Sequence, residues 1–260
     1  MKHSILGIDL ATRRYRDIGI AIVQEDARQI NSEIKGQIEC KFLRPSEYSP
    51  SEHTLDRSVE MQNGELWLDP PTVERFADYI FTVATQYEVS VIAIDGPQAW
   101  KSPENGLQHQ RLSEKALHTQ AKTGLPGTCK PATSLRFVNF AIEFYAALEA
   151  RGWKRQMSAA ATAEKCVIEV FPTAAWRALG LKPLPAKAAS VAETVTQWLQ
   201  HLHAHFPLKL ETDPNHDELQ ALMAGLVGLA FAQNNGYSSL GSAPFLLQGQ
   251  WREGFIVNFA

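Results

Sequence analysis

Three apolar runs in this chain each carry a single carboxylate. Ser4–Ala11 (Ser-Ile-Leu-Gly-Ile-Asp-Leu-Ala) holds Asp9, Val89–Asp95 (Val-Ser-Val-Ile-Ala-Ile-Asp) ends on Asp95 before Gly96-Pro97, and Cys166–Phe171 (Cys-Val-Ile-Glu-Val-Phe) holds Glu169 before Pro172. A run that is apolar at successive positions has no solvent-facing side, so it reads as a strand buried in the middle of a sheet. An acid in such a strand needs a cation, a metal or hydrogen-bond donors, because an unpaired buried carboxylate is costly or takes up a proton.

The segments between these runs fix the class of fold. Thr12–Asp17 is a polar turn leading to a second strand at Ile18–Val23, and so short a connection favours an antiparallel hairpin. A third strand is expected at Gln37–Leu43. The polar stretch Arg44–Leu66 reads as a surface loop, and Asp69-Pro70-Pro71 as the start of a helix whose apolar positions are Val73, Phe76, Ala77, Ile80, Phe81 and Ala84. Ser134 precedes a second helical pattern (Leu135, Val138, Ala141, Ile142, Tyr145, Leu148) that ends at Gly152. A short helical turn at Thr173–Leu179 follows the Glu169 strand, and Val191, Val195, Trp198, Leu199 and Leu202 mark another helix. The last long helix begins near Asp213-Pro214 and buries Leu219, Leu222, Met223, Leu226 and Ala230, leaving Phe245–Leu247 and Gly254–Asn258 as edge strands. Strands alternating with helices predict an α/β fold, a mixed sheet flanked by helices. We expect a single domain over residues 1–260 with an insertion loop at about 98–133. That loop is turn-rich, carries Lys101, Arg111, Lys115, Lys122 and Lys130, directly follows an acid-bearing strand, and so reads as a functional loop over the site.

Charge and cysteine usage narrow the function classes. A formal net charge of -3 is not the balance of a protein that coats nucleic acid, although a local basic groove is compatible with it. The three cysteines, Cys40, Cys129 and Cys166, are far apart and form no CxxC pair, which argues against a zinc site or a disulfide framework and for a reducing, cytoplasmic setting. No run reaches the ~20 apolar residues of a membrane helix.

Asp9, Asp95 and Glu169 sit at or near the ends of strands that would be neighbours, and Asp217 lies in the first turn of the last helix. Carboxylates brought together repel unless a divalent cation holds them, and Mg²⁺ or Mn²⁺ prefers such oxygen ligands. Two such ions about 4 Å apart suit attack of water on a phosphodiester. Each residue also has a plainer reading. Asp9 could pair with Arg13, Arg14 or Arg16, Asp95 could serve its turn, Glu169 could face water on an edge strand, and Asp217 could answer the helix dipole. Arg111 and Glu114, three apart, could simply pair on a helix, and Arg177 could bind a phosphate or a surface acid.

Taken in order, Gly7-Ile8-Asp9-Leu10-Ala11, Ile94-Asp95-Gly96-Pro97, Arg111-Leu112-Ser113-Glu114, Glu169-Val170-Phe171-Pro172 with Trp176-Arg177, His216-Asp217-Glu218-Leu219 and Glu253-Gly254-Phe255-Ile256 span almost the whole chain. This series resembles the successive blocks of a bacterial and archaeal family of unknown function described as predicted RNase H-like nucleases. The resemblance implies an RNase H-like fold with a mixed five-stranded sheet and a metal-dependent cluster of Asp9, Asp95, Glu169 and Asp217. The family implies no known substrate; with the acids above we expect a divalent-metal-dependent nuclease (hydrolase) acting on nucleic acid, DNA or RNA, with Arg111, Glu114 and Arg177 at the substrate. One position departs from the family: an aspartate often precedes the Ala-Leu pair of the last helix, and here Gln220 precedes Ala221-Leu222. Either Asp217 supplies that acid or the ligand is weakened, so the alternative function is a non-catalytic binding or regulatory protein of the same fold. An ATP-using phosphotransferase is disfavoured, because Asp9-Leu10-Ala11 lacks a Gly-Thr/Ser phosphate loop.

Overall fold

The computed structural model describes residues 3–26, 29–30, 33–34, 36–44, 70–161 and 165–260. The loop expected over Arg44–Leu66 lies outside the described residues except for Arg44, and Asp69 of the expected helix start lies outside them too. The first strand, β1 (His3–Asp9), pairs antiparallel with β2 (Gly19–Asp26), which pairs antiparallel with β3 (Gln37–Phe42). Helix α1 (Val73–Gln86) then leads into β4 (Val91–Asp95), parallel to β1. After α2 (Leu112–Leu117) and α3 (Leu135–Ala150), β5 (Cys166–Val170) lies parallel to β4 on its far side. The chain continues through α4 (Pro172–Ala178), α5 (Ala192–His205), β6 (Leu208–Leu210) and α6 (His216–Ala232) to the hairpin β7 (Tyr237–Leu247) and β8 (Gln250–Phe259).

The sheet order is β6-β3-β2-β1-β4-β5-β8-β7, with the short strand Lys154–Arg155 beside the start of β5. The five strands read from the sequence are contiguous at its centre, so the mixed α/β sheet flanked by helices is present. It is wider than five strands, because β6 adds to one side and the β7–β8 hairpin to the other. The apolar segments at 245–247 and 254–258 belong to strands of 11 and 10 residues, and β8 pairs on both sides rather than lying at an edge.

Both faces of the central strands are covered, which is why their sequences do not alternate. Ile5, Val23, Ala93, Ile168 and Val170 pack on one face against Leu219, Leu222, Met223 and Leu226 of α6. Leu6, Ile8, Ile20, Ile92, Ile94 and Val167 pack on the other against Phe76 and Ile80 of α1 and Phe144 and Tyr145 of α3. The approach of α6 depends on two glycines. A Cβ on Gly7 would lie 2.0 Å from the Ala221 carbonyl oxygen, and one on Gly19 would lie 2.0 Å from that of Asp217. Helix α6 therefore crosses β1 and β2 at backbone contact, and its first turn sits over the end of β1.

The expected loop at 98–133 is a packed segment rather than an irregular one. Its start, Gln98–Ser102, is buried, and it contains α2 and the paired strands Lys122–Thr123 and Cys129–Lys130. Glu253, in the left-handed region at φ 59, organises it: its carboxylate accepts from Ser102 N (2.8 Å), Asn105 Nδ2 (2.6 Å) and Leu112 N (2.9 Å).

Candidate active site

Strand register decides which acids meet. Asp9 is the direct partner of Asp95 across the parallel β1–β4 pair and of Gly19 across the β1–β2 pair. Directly opposed residues point to the same face, so Asp9 and Asp95 share the α6 face with Gly7 and Gly19. The close approach at Gly19 sets Asp217 above them. Glu169 is opposite Ile94, and Ile94 faces α3. By alternation Glu169 leaves the sheet on the α3 side, one position out of phase with Asp95, whose partner on β5 is Val170.

The two sides differ in how their charge is met. Glu169 is buried and held on both oxygens: Arg111 NH2 donates to Oε1 at 2.5 Å, and Arg111 NH1 and the Gln98 N–H donate to Oε2 at 2.7 and 2.9 Å. The same guanidinium donates through Nε and NH2 to Glu114 Oε1 at 3.2 and 3.1 Å, and Glu114 also accepts from the Thr123 N–H at 3.0 Å. Burial raises the Glu169 pKa above the usual carboxylate range, opposed by Arg111. Arg111 and Glu114 do lie at Glu169, yet their side chains are only 1% and 3% exposed, so they organise the site from beneath. Arg177 is exposed on the last turn of α4.

On the α6 face, the Asp9 and Asp95 carboxylates accept no side-chain or backbone hydrogen bond among the described residues. Desolvation, then the neighbouring Asp95 and Asp217 charges, push Asp9 well up, with Lys187 acting against them. Desolvation and then Glu169 push Asp95 up to about 7. Adjacent carboxylates with no donors resist carrying two charges, so the pair retains a proton to higher pH than either acid would alone.

Asp217 is tied elsewhere. Lys187 Nζ donates to its Oδ2, and His216 Nδ1 lies 3.0 Å from its Oδ1. Lys187 also reaches Asp17 Oδ1 at 3.0 Å, and His216 Nε2 lies 2.9 Å from the Pro185 carbonyl oxygen. The helix cap is Asn215, which accepts from the N–H groups of Asp217 and Glu218, so Asp213-Pro214 lies before the helix and does not cap it. Glu218 turns away to Arg44 at 2.7 Å. Gln220 accepts from Trp176 Nε1 at 2.9 Å, a bond that ties α6 to α4.

The chain is similar to Thermus thermophilus RuvC. One solved structure of that protein has a TM-score of 0.40 at 12% identity, covering 92% of this chain and 99% of that one. A second, of T. thermophilus RuvC in complex with Holliday junction substrate, has a TM-score of 0.35 at 14% identity, covering 89% and 94%. No family model matches the chain, and no curated protein matches it by sequence.

As a metal site the arrangement has the right donors but is not closed. Asp9 and Asp95 offer hard oxygen ligands without protein donors competing for them, which fits Mg²⁺ or Mn²⁺. Among the described residues, no three His, Cys, Asp or Glu side chains converge tightly enough to hold an ion. Lys187 and Asp17 were not singled out in the sequence. Lys187 lies in a proline-containing connector 30 residues before Asp217, and no local pattern links the two.

Proposed function

We propose that the protein is a divalent-metal-dependent nuclease whose metal is held by Asp9 and Asp95, with Asp217 next in line. The observation that supports this reading most is the side-by-side Asp9–Asp95 pair, unpartnered and with raised pKa values, at the end of a doubly covered sheet. A fold that keeps two such carboxylates together without donors stores repulsion that a bound cation relieves. A divalent ion held there would supply Lewis-acid activation of water and neutralise charge on the phosphate oxygens. Glu169 and Arg111 act as positioning residues: they fix the start of the 98–133 segment through Gln98, and Glu169 adds to the field at Asp95. Of the residues expected at the substrate, Arg177 is the exposed guanidinium available to a nucleic-acid phosphate.

A second reading, a non-catalytic module of this fold, is favoured by one observation: Asp217 is engaged by Lys187 and His216 and does not join the pair. Incubation with end-labelled DNA and RNA in Mn²⁺ separates the two. The nuclease reading expects cleavage that EDTA, Asp9→Asn and Asp95→Asn each abolish. A protein that cleaves nothing while folded and loaded with Mn²⁺ supports the binding module.

A further inference from the structure

Two cations sit against the acids of this site, and they differ in how firmly they are built in. Arg111 is 1% exposed and bonded to two carboxylates by several N–H groups. Lys187 has a side chain 54% exposed and comes from the turn Lys187–Ala189, which buries no residue. Its ammonium bridges Asp217 of α6 and Asp17 of the β1–β2 turn, and its field reaches Asp9. Moving Arg111 would strand two buried acids, whereas moving Lys187 uncovers no core, returns a long flexible side chain to water and leaves one buried acid, Asp217, which His216 still contacts. Lys187 is therefore a cation that holds Asp217 without being built into the core.

Resting on the metal reading above, we propose that Lys187 is a built-in, displaceable counter-ion. It holds Asp217 while the acid pair lacks a divalent cation, and a divalent cation at Asp9 and Asp95 displaces it, releasing Asp217 to serve as a third carboxylate. The metal competes with the ammonium for the same negative field, so Lys187 weakens metal binding in exchange for holding the metal-free site together.

Mn²⁺ titration calorimetry on the full chain tests this with Lys187→Met, which keeps the length and removes the charge. The expected result is Mn²⁺ affinity roughly two- to fivefold tighter than wild type, the scale of losing one partly exposed competing ion pair. Equal or weaker affinity overturns the proposal. Asp9→Asn in parallel separates this from the metal reading. If Asp9→Asn loses Mn²⁺ while Lys187→Met binds like the parent, the metal site stands and the counter-ion role falls. If neither wild type nor Lys187→Met binds Mn²⁺, both fall. A measurement on the wild type covers the case of a variant that does not fold: amine acylation of Lys187, followed by mass spectrometry, should speed up several-fold when Mn²⁺ is added. An unchanged or slower rate contradicts displacement.

Discussion

Replacing Asp95 by asparagine should stabilise the metal-free protein at pH 8 and leave it nearly unchanged at pH 4. Desolvation and Glu169 push the folded-state pKa of Asp95 up to about 7, from an ordinary value of 3.8. Between these values the folded chain binds a proton that the unfolded chain has released, so stability falls as pH rises across that window. The contribution is fully present below about pH 4 and lost above about pH 7. At about 1.4 kcal/mol per tenfold change in acidity, this rise sets a ceiling near 4 kcal/mol, and since Asp95 is only partly buried we expect about 2–3 kcal/mol. For a chain of this size that corresponds to a melting temperature raised by roughly 4–8 °C. The assay is thermal and guanidinium unfolding of wild type and variant, with no metal added and EDTA present, at pH 4 and pH 8. A variant no more stable than wild type at pH 8, or a gap that does not change with pH, would refute the reasoning that the site stores carboxylate repulsion.

Arg111→Met should destabilise the fold by about 3–5 kcal/mol at pH 8, because it strands Glu169 and Glu114 in the interior, and the loss should shrink as the pH is lowered and Glu169 takes up its proton. Denaturant unfolding at two pH values checks both parts. Gly19→Ala should cost about 3 kcal/mol, since its Cβ would meet the Asp217 backbone at 2.0 Å and α6 must shift to admit it. A Gly19→Ala protein that melts within a degree of wild type contradicts the close approach that sets Asp217 over Asp9.

The central sheet was legible because its signal is local. Runs that are apolar on both faces identify β1, β4 and β5, and the period of Phe76, Ala77 and Ile80 identifies α1. The acids were legible as residue types, and register then separated them. Asp9 and Asp95 are level partners, while Glu169 falls one position out of phase, and a shift of one residue changes the face. No run of sequence encodes that offset. The same holds for Lys187 and Glu253, whose partners lie 30 and 141 or more residues away and are set by the path of connectors. Helix α6 begins at His216 with Asn215 as its cap, slightly after the Asp213-Pro214 start that the sequence suggests, because Asp-Pro is also a helix-start signal. The bonds from Asn215 to Asp217 N and Glu218 N decide between them.

The central claim, that Asp9 and Asp95 form the metal site while Glu169 is an internal partner of Arg111, is tested most directly by Mn²⁺-dependent cleavage of labelled nucleic acid by Asp9→Asn, Asp95→Asn and Glu169→Gln, with calorimetric Mn²⁺ binding measured on the same samples. The account predicts that Asp9→Asn and Asp95→Asn lose both Mn²⁺ and cleavage while remaining folded, and that Glu169→Gln keeps Mn²⁺ binding but loses stability. Wild-type Mn²⁺ affinity in Asp9→Asn and Asp95→Asn, or loss of Mn²⁺ in a folded Glu169→Gln alone, would contradict it.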